Sequence, residues 1–241
     1  MATTTNTATN VASFLEGFAG QGLETIGSGA MATAYLGMVQ PDSTPTMNGH
    51  AAGTWRNSAT DENYGNVVRV VPVAFKVIWS ERSSSDFQTV ARYEPNSIPV
   101  ETKPVPAGKR GYPKMINPQT GNEVQELFCY AVVLPDHPEA GVLLFSPTVG
   151  SMKTCKAWNS QLRGQLLPNG APAPIFAYSW NLALDLVQNP AKPTTQIAKL
   201  VSVKKDSLVS EELFKNTVQP QLASVNSAVL AITQGDIEEE E

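Results

Sequence analysis

"NVVRVVPVAFKVIWSER", residues 66–82, is the stretch whose reading decides the fold. Valine and isoleucine dominate it, and Val71, Val73, Phe75, Val77 and Trp79 alternate with Pro72, Ala74, Lys76 and Ile78. β-Branched and aromatic residues at a period of two predict a strand. Pro72 has no N–H to give a ladder, so an edge or a bulge is expected there. The following "SSSD" is a turn signal, and "FQTVARYE" reads as the antiparallel partner. The same logic pairs "EVQELFCYAVVLP" with "VLLFSP" across "DHPEAG". It also pairs "IFAYSWNLALDLVQ" with "QIAKLVSVKK" across "NPAKPTT". Upstream, "AYLGMVQ" reads as one more strand.

Helical spacing enters twice among these hairpins. In "TVGSMKTCKAWNSQLRG", Met152, Cys155, Trp158 and Leu162 fall near one face, and Gly164 supplies a C-cap. Residues 207–232 resume the period with Leu208, Leu213, Val218, Leu222, Val225 and Val229, and Pro220 is expected to kink or split that helix. "VASFLEGFAG" reads as a short helix, and the proline- and glycine-rich stretch from Pro95 to Gly121 as one long basic loop. The order never alternates strand and helix as a parallel sheet would. The expected fold is mainly β, with five to seven strands joined as antiparallel hairpins, one inserted helix and one C-terminal helix. A β-barrel of the OB-like kind, or a small sheet elaborated by long loops, fits this order. Residues 1–10 are expected to be disordered, 11–232 to form one domain, and 233–241 to be a disordered acidic tail.

At 241 residues and 41% hydrophobic, the chain can bury a sizeable core. No run of about 18 apolar residues predicts a membrane span. The N-terminal "MATTTNTATN" carries neither base nor apolar run, so it does not read as a secretory signal. Cys129 and Cys155 have no metal-type spacing and read as reduced, buried thiols of a cytoplasmic protein.

The net charge of −5 is unevenly spread. Asp236 and Glu238 to Glu241 put five acids in the last six residues, and without them 17 acids face 17 bases. No Lys or Arg precedes Arg56, whereas Lys153, Lys156, Arg163, Lys192, Lys199, Lys204 and Lys205 share their stretch with one acid, Asp185. Lys103, Lys109, Arg110 and Lys114 form a second basic group. Such asymmetry is an electrostatic footprint that the bulk charge conceals.

Signals for catalysis are poor. "GSGAMATA" lacks the lysine of a phosphate loop and reads as small-residue packing. His50 and His137 stand in turns without metal-ligand partners at useful spacing, and Glu123 and Glu126 read as strand-end surface residues. No enzyme activity, cofactor or metal is expected.

Aromatics beside bases suit single-stranded nucleic acid, because cations neutralise phosphates and ring faces stack on bases without reading them. The candidates are Lys76, Trp79, Arg92 and Tyr93 on the first hairpin, and Lys109, Arg110, Tyr112 and Lys114 in the basic loop. Lys153, Lys156, Trp158 and Arg163 on the inserted helix complete them. The plainer alternative puts the tryptophans in the core and leaves the lysines to solvate the surface.

With "GDIEEEE" at its end, a β-rich middle and "KPVPAGKRGYPK" as a possible binding loop, the chain resembles phage single-stranded DNA-binding proteins of the OB-fold type. "VVRVVPVAFKVIWSER" and "GLETIGSGAMATAYLGMVQPDS" are also similar to segments of small phage proteins of replication and recombination. The resemblance implies sequence-nonspecific binding of single-stranded DNA in the host cytoplasm. It also implies an acidic tail, Asp236, Ile237, Glu238, Glu239, Glu240 and Glu241, that shields the DNA groove and recruits replication or recombination proteins. The rival expectation is a phage structural or host-takeover protein acting through protein contacts alone, which the base-free, Ala/Thr/Gly-rich N-terminal stretch suits. Oligomeric state is not legible in the sequence.

Overall fold

A computed structural model describes residues 34–83, 88–104, 113–147, 149–189 and 192–222, all within the second of the chain's two units, Thr33–Glu241. The stretch 1–33, with the expected helix at "VASFLEGFAG", and the acidic tail lie outside the described residues.

The decisive stretch is a single strand, β4 (Val67–Arg82), paired with β8 (Glu123–Val133) in a register running from Val71↔Val133 to Arg82↔Glu123. The irregularity expected at Pro72 is present as a register shift between Pro72 and Ala74. A one-residue shift exchanges the faces that later side chains occupy. Before it, Val68 and Val70 enter one core and Val71 and Val73 another; after it, Phe75 and Val77 turn to the first and Ile78 to the second. β4 thus serves two cores throughout, and the shift beside Pro72 exchanges which alternate residues face each.

Each long strand shares its other edge between two shorter ones. β4 takes β10 (Tyr178–Asn189) at its start and β5 (Thr89–Tyr93) at its end. β8 takes β7 (Lys114–Ile116) and β9 (Val142–Phe145). β10 pairs onward to β11 (Lys192–Leu208), and β7 to β6 (Glu101–Lys103). A separate three-stranded sheet joins β1 (Leu36–Met38), β2 (Trp55–Asn57) and β3 (Asn63–Gly65).

The fold is thus mainly antiparallel β with few helices, as expected, but the expected barrel is not formed. The main path runs β11-β10-β4-β8-β7-β6 and stays open, because its outer strands β11 and β6 do not pair. Closure alone removes sheet edges, and here they persist. Among the described residues there are eleven strands where five to seven were expected. The additions are three-residue strands too short to show a period, and two of them, β6 and β7, interrupt the stretch read as one loop.

The inserted helix, Met152–Arg163, forms where its spacing predicts, burying Cys155 and Trp158 and ending at Gly164. The C-terminal helix starts later than expected because β11 runs to Leu208. Ser210 caps its first turn, Glu211–Leu213, by accepting from the Leu213 N–H. A π-helical turn, Phe214–Val218, then precedes Pro220, which has no N–H to close an ordinary helical ring.

β8 is buried on both faces from Phe128 to Val133. Phe128, Tyr130 and Val132 pack with Trp55, Phe145, Trp158 and Trp180, while Cys129, Ala131 and Val133 pack with Val71, Val73, Leu144 and Val218. The Trp158 ring lies almost parallel to Tyr130 at 4.5 Å, and the Tyr130 hydroxyl donates to Asn159 Oδ1 at 2.8 Å.

Part of the β11 edge is closed by side chains instead of a strand. The Gln40 amide accepts from the Ala198 N–H at 3.0 Å and donates to the Ala198 C=O at 3.2 Å, and Ser151 Oγ accepts from the Leu200 N–H at 3.1 Å. Gln40 thereby supplies both bonds that a neighbouring peptide would. Gln40→Leu should leave two buried backbone groups unsatisfied and lower stability by about 1–3 kcal/mol, seen as a lower urea midpoint at unchanged m-value.

Candidate functional site: a lysine-bearing sheet edge

Nine of the twelve expected DNA-binding residues fall among the described residues, and the fold uses several of them internally. Trp158 is fully buried and its ring is occupied by Tyr130, so it has no face to offer a base. Trp79 is 8% exposed, and opposite it in the ladder Tyr93 donates its hydroxyl to Glu81 at 2.9 Å. Lys76 is paired with Glu94 at 2.6 Å, Lys114 with Glu123, and Lys156 lies 3.9 Å from Glu126 and over the Phe128 ring. Arg92 is half-buried on β5, and Lys153 and Arg163 are exposed on the inserted helix. Lys109, Arg110, Tyr112 and the tail residues 236–241 lie outside the described residues.

On the first hairpin the structure builds a carboxylate node instead. Glu81 is 1% exposed and accepts from Thr120 Oγ1, Asn117 Nδ2 (2.9 Å), Asn122 Nδ2 (2.8 Å) and Tyr93. Burial pushes the Glu81 carboxyl up, but the donors from Thr120, Asn117, Asn122 and Tyr93 outweigh it and hold it below the ordinary value. The turn 117–122 is therefore tied to β4 by one charge. With every lone-pair direction occupied by the fold, Glu81 is an anchor for that turn.

Lys103, Lys153 and Arg163 make no ion pair among the described residues, but the largest group of such bases lies elsewhere. Among the described residues Lys192, Lys199, Lys204 and Lys205 make no ion pair, and all four stand on β11, whose only partner strand is β10. Lys205 sits 3.8 Å above the Tyr178 ring, which fixes its charge at the edge. The one acid of that segment, Asp206, is already engaged: Ser179 and Ser207 donate to it and Arg69 lies 3.8 Å away. These hydroxyl hydrogen bonds, chiefly, hold its carboxyl below the usual range. Val201 is 42% exposed and Leu208 is exposed at the strand's end. The charge asymmetry between Lys153 and Lys205 signals this edge in the sequence. Aromatic neighbours direct attention to Lys153, Lys156 and Arg163 instead, and β11 has none of its own.

Two further groups bear on chemistry. Glu62, His137 and Glu139 bring one donor atom each within 4.8 Å of one another, with His137 Nδ1 3.3 Å and 3.4 Å from the two carboxylates. His137 also packs against the Tyr64 ring at 4.6 Å. The trio bridges the β2–β3 turn to the β8–β9 turn, with both carboxylates exposed and His137 half-buried between them. Cys129 and Cys155 are free and buried, and burial chiefly pushes their thiols up to about 11 and about 12. Both are therefore thiols, not thiolates, at neutral pH. No helix among the described residues is long and apolar enough to cross a membrane.

The family model described as Pam3 phage gp34-like protein matches residues 4–227. The chain belongs to that family of phage proteins. No curated protein and no solved structure matches the chain.

A carboxyl whose folded value lies below its ordinary 4.5 stabilises the fold above that pH and loses the contribution as pH falls through the folded value. Glu81→Gln should cost about 1–3 kcal/mol at pH 7. The gap from wild type should narrow as the buffer is taken below pH 4.5, measured by urea unfolding across the acid range.

Proposed function

We propose that this phage protein acts through protein contacts, as a structural or host-takeover component, and that single-stranded DNA is not its ligand. The observation that carries this reading is the use of Trp158 and Trp79 inside the fold; of the other candidate rings, Tyr112 lies outside the described residues. Stacking contributes roughly 1–3 kcal/mol per base in single-strand binding, and it needs a free ring face. Trp158 has none, Trp79 is nearly enclosed, and the half-buried Tyr93 has its hydroxyl held by Glu81. Three of the candidate lysines, Lys76, Lys114 and Lys156, already have carboxylate neighbours. What the described surface offers in their place is a long strand without an outer neighbour, a feature that recognises polypeptide.

The test is an anisotropy titration of labelled oligo-dT with the full chain and with a chain ending at Gly235, at low and moderate salt. Flat titrations, with tryptophan fluorescence unchanged, are expected. Salt-sensitive binding, tighter without residues 236–241, would overturn this reading and restore DNA as the ligand with the tail as its competitor.

A further inference from the structure

We infer that the Val201–Asp206 edge of β11 takes an extended acidic segment of a partner protein as an added strand. This deepens the protein-contact reading and rests on it.

The edge divides into a closed part and an open part. Gln40 closes it at Ala198 and Ser151 at the Leu200 N–H. Beyond Leu200, the ladder to β10 continues through Ser202↔Ala183, Val203↔Leu182, Lys204↔Asn181 and Lys205↔Trp180. No described strand lies on the other side. An edge strand carries outward N–H and C=O groups that a peptide can pair with, as in recognition by strand addition. The core anchors this one firmly: Val203 packs against it, and Leu200 and the paired Leu182 are fully buried.

Charge decides the class of occupant. Lys204 and Lys205 are exposed on the open part without counter-ions, and the Asp206 charge is spent on Arg69, Ser179 and Ser207. Two copies of this edge, paired antiparallel about this segment, would bring lysines against lysines, and like charges directly opposite are destabilising. The same lysines that exclude a second copy favour a strand bearing Glu or Asp at the facing positions. Val201 adds an exposed apolar contact at the start of the segment.

The experiment uses the full chain and a fluorescein-labelled extended peptide with two adjacent Glu residues, one for each face, flanked by Val and Thr. Saturable binding is expected, weakened about tenfold or more by the double substitution Lys204→Glu with Lys205→Glu, equivalent to at least ~1.4 kcal/mol. Two further peptides carry N-methyl groups on alternate amides, in opposite phases, and are tested on the unchanged protein. Strand addition predicts that one phase binds and the other does not, because only alternate N–H groups face the edge. Equal binding of both phases, or binding indifferent to the lysine reversal, would overturn the inference. The oligo-dT arm separates the two ideas. A chain that binds oligo-dT defeats the protein-contact reading itself, whereas one that binds neither oligo-dT nor the acidic peptide defeats the strand-addition inference alone.

Discussion

From Phe128 to Val133, β8 can meet water on neither side, and that constraint organises the elements around it. A strand in an antiparallel sheet ordinarily has one wet face. Here one face must be covered by the inserted helix, β10 and the small β1–β2–β3 sheet, and the other by the C-terminal helix. Partners are recruited from widely separated parts of the chain, as when Trp55 Nε1 donates to the Leu182 carbonyl. Tyr130 shows the arrangement at one residue. Its ring is enclosed by Trp158, Phe145 and Phe75, and its hydroxyl is satisfied by Asn159 from the same helix. The helix thus covers the strand and pairs its one polar atom at once.

What was legible in the sequence followed the length of each signal. β4, β8 and β10 carry enough β-branched and aromatic residues for alternation to show, and the inserted helix carries two full turns of apolar spacing. β2, β3, β6 and β7 are three residues each, and no period can be read from three residues. Barrel closure was illegible for another reason. It depends on whether the first and last strands of a path meet, which is a matter of register and twist summed over the whole sheet. Even the start of the last helix was misplaced, because Leu208 fits a helical period as well as it ends a strand.

The candidate site was legible as charge and not as residues. Aromatic neighbours made Trp79 and Trp158 look like platforms, but the same residue type fills cores, and burial separates the two uses only in three dimensions. The lysines of β11 had no such marker. What sets them apart is their number on one strand: Lys76, Lys114 and Lys156 have carboxylates beside them from neighbouring segments, whereas the four lysines of β11 have no described outer strand to supply any. An unneutralised edge is a property of topology, since a counter-ion must come from a neighbour.

The bond between Gln40 and Ala198 spans 158 residues, and its polarity along the chain matters during synthesis. Ribosomes deliver the N-terminal part first, so Gln40 already exists when β11 emerges. The last long strand of the sheet can be capped at Ala198 as soon as it docks on β10, and that part of its edge has no waiting period in which to pair with a neighbouring nascent chain. The two faces of β8 are provided for only in part. Trp55 precedes it, but Trp158, Trp180 and Val218 follow it in the sequence, so paired β4 and β8 leave the ribosome with apolar surface on both sides still incompletely covered. Interruption of synthesis before residue 150 would therefore release a fragment in which the inserted helix, β10 and the C-terminal helix are missing from the faces of β8.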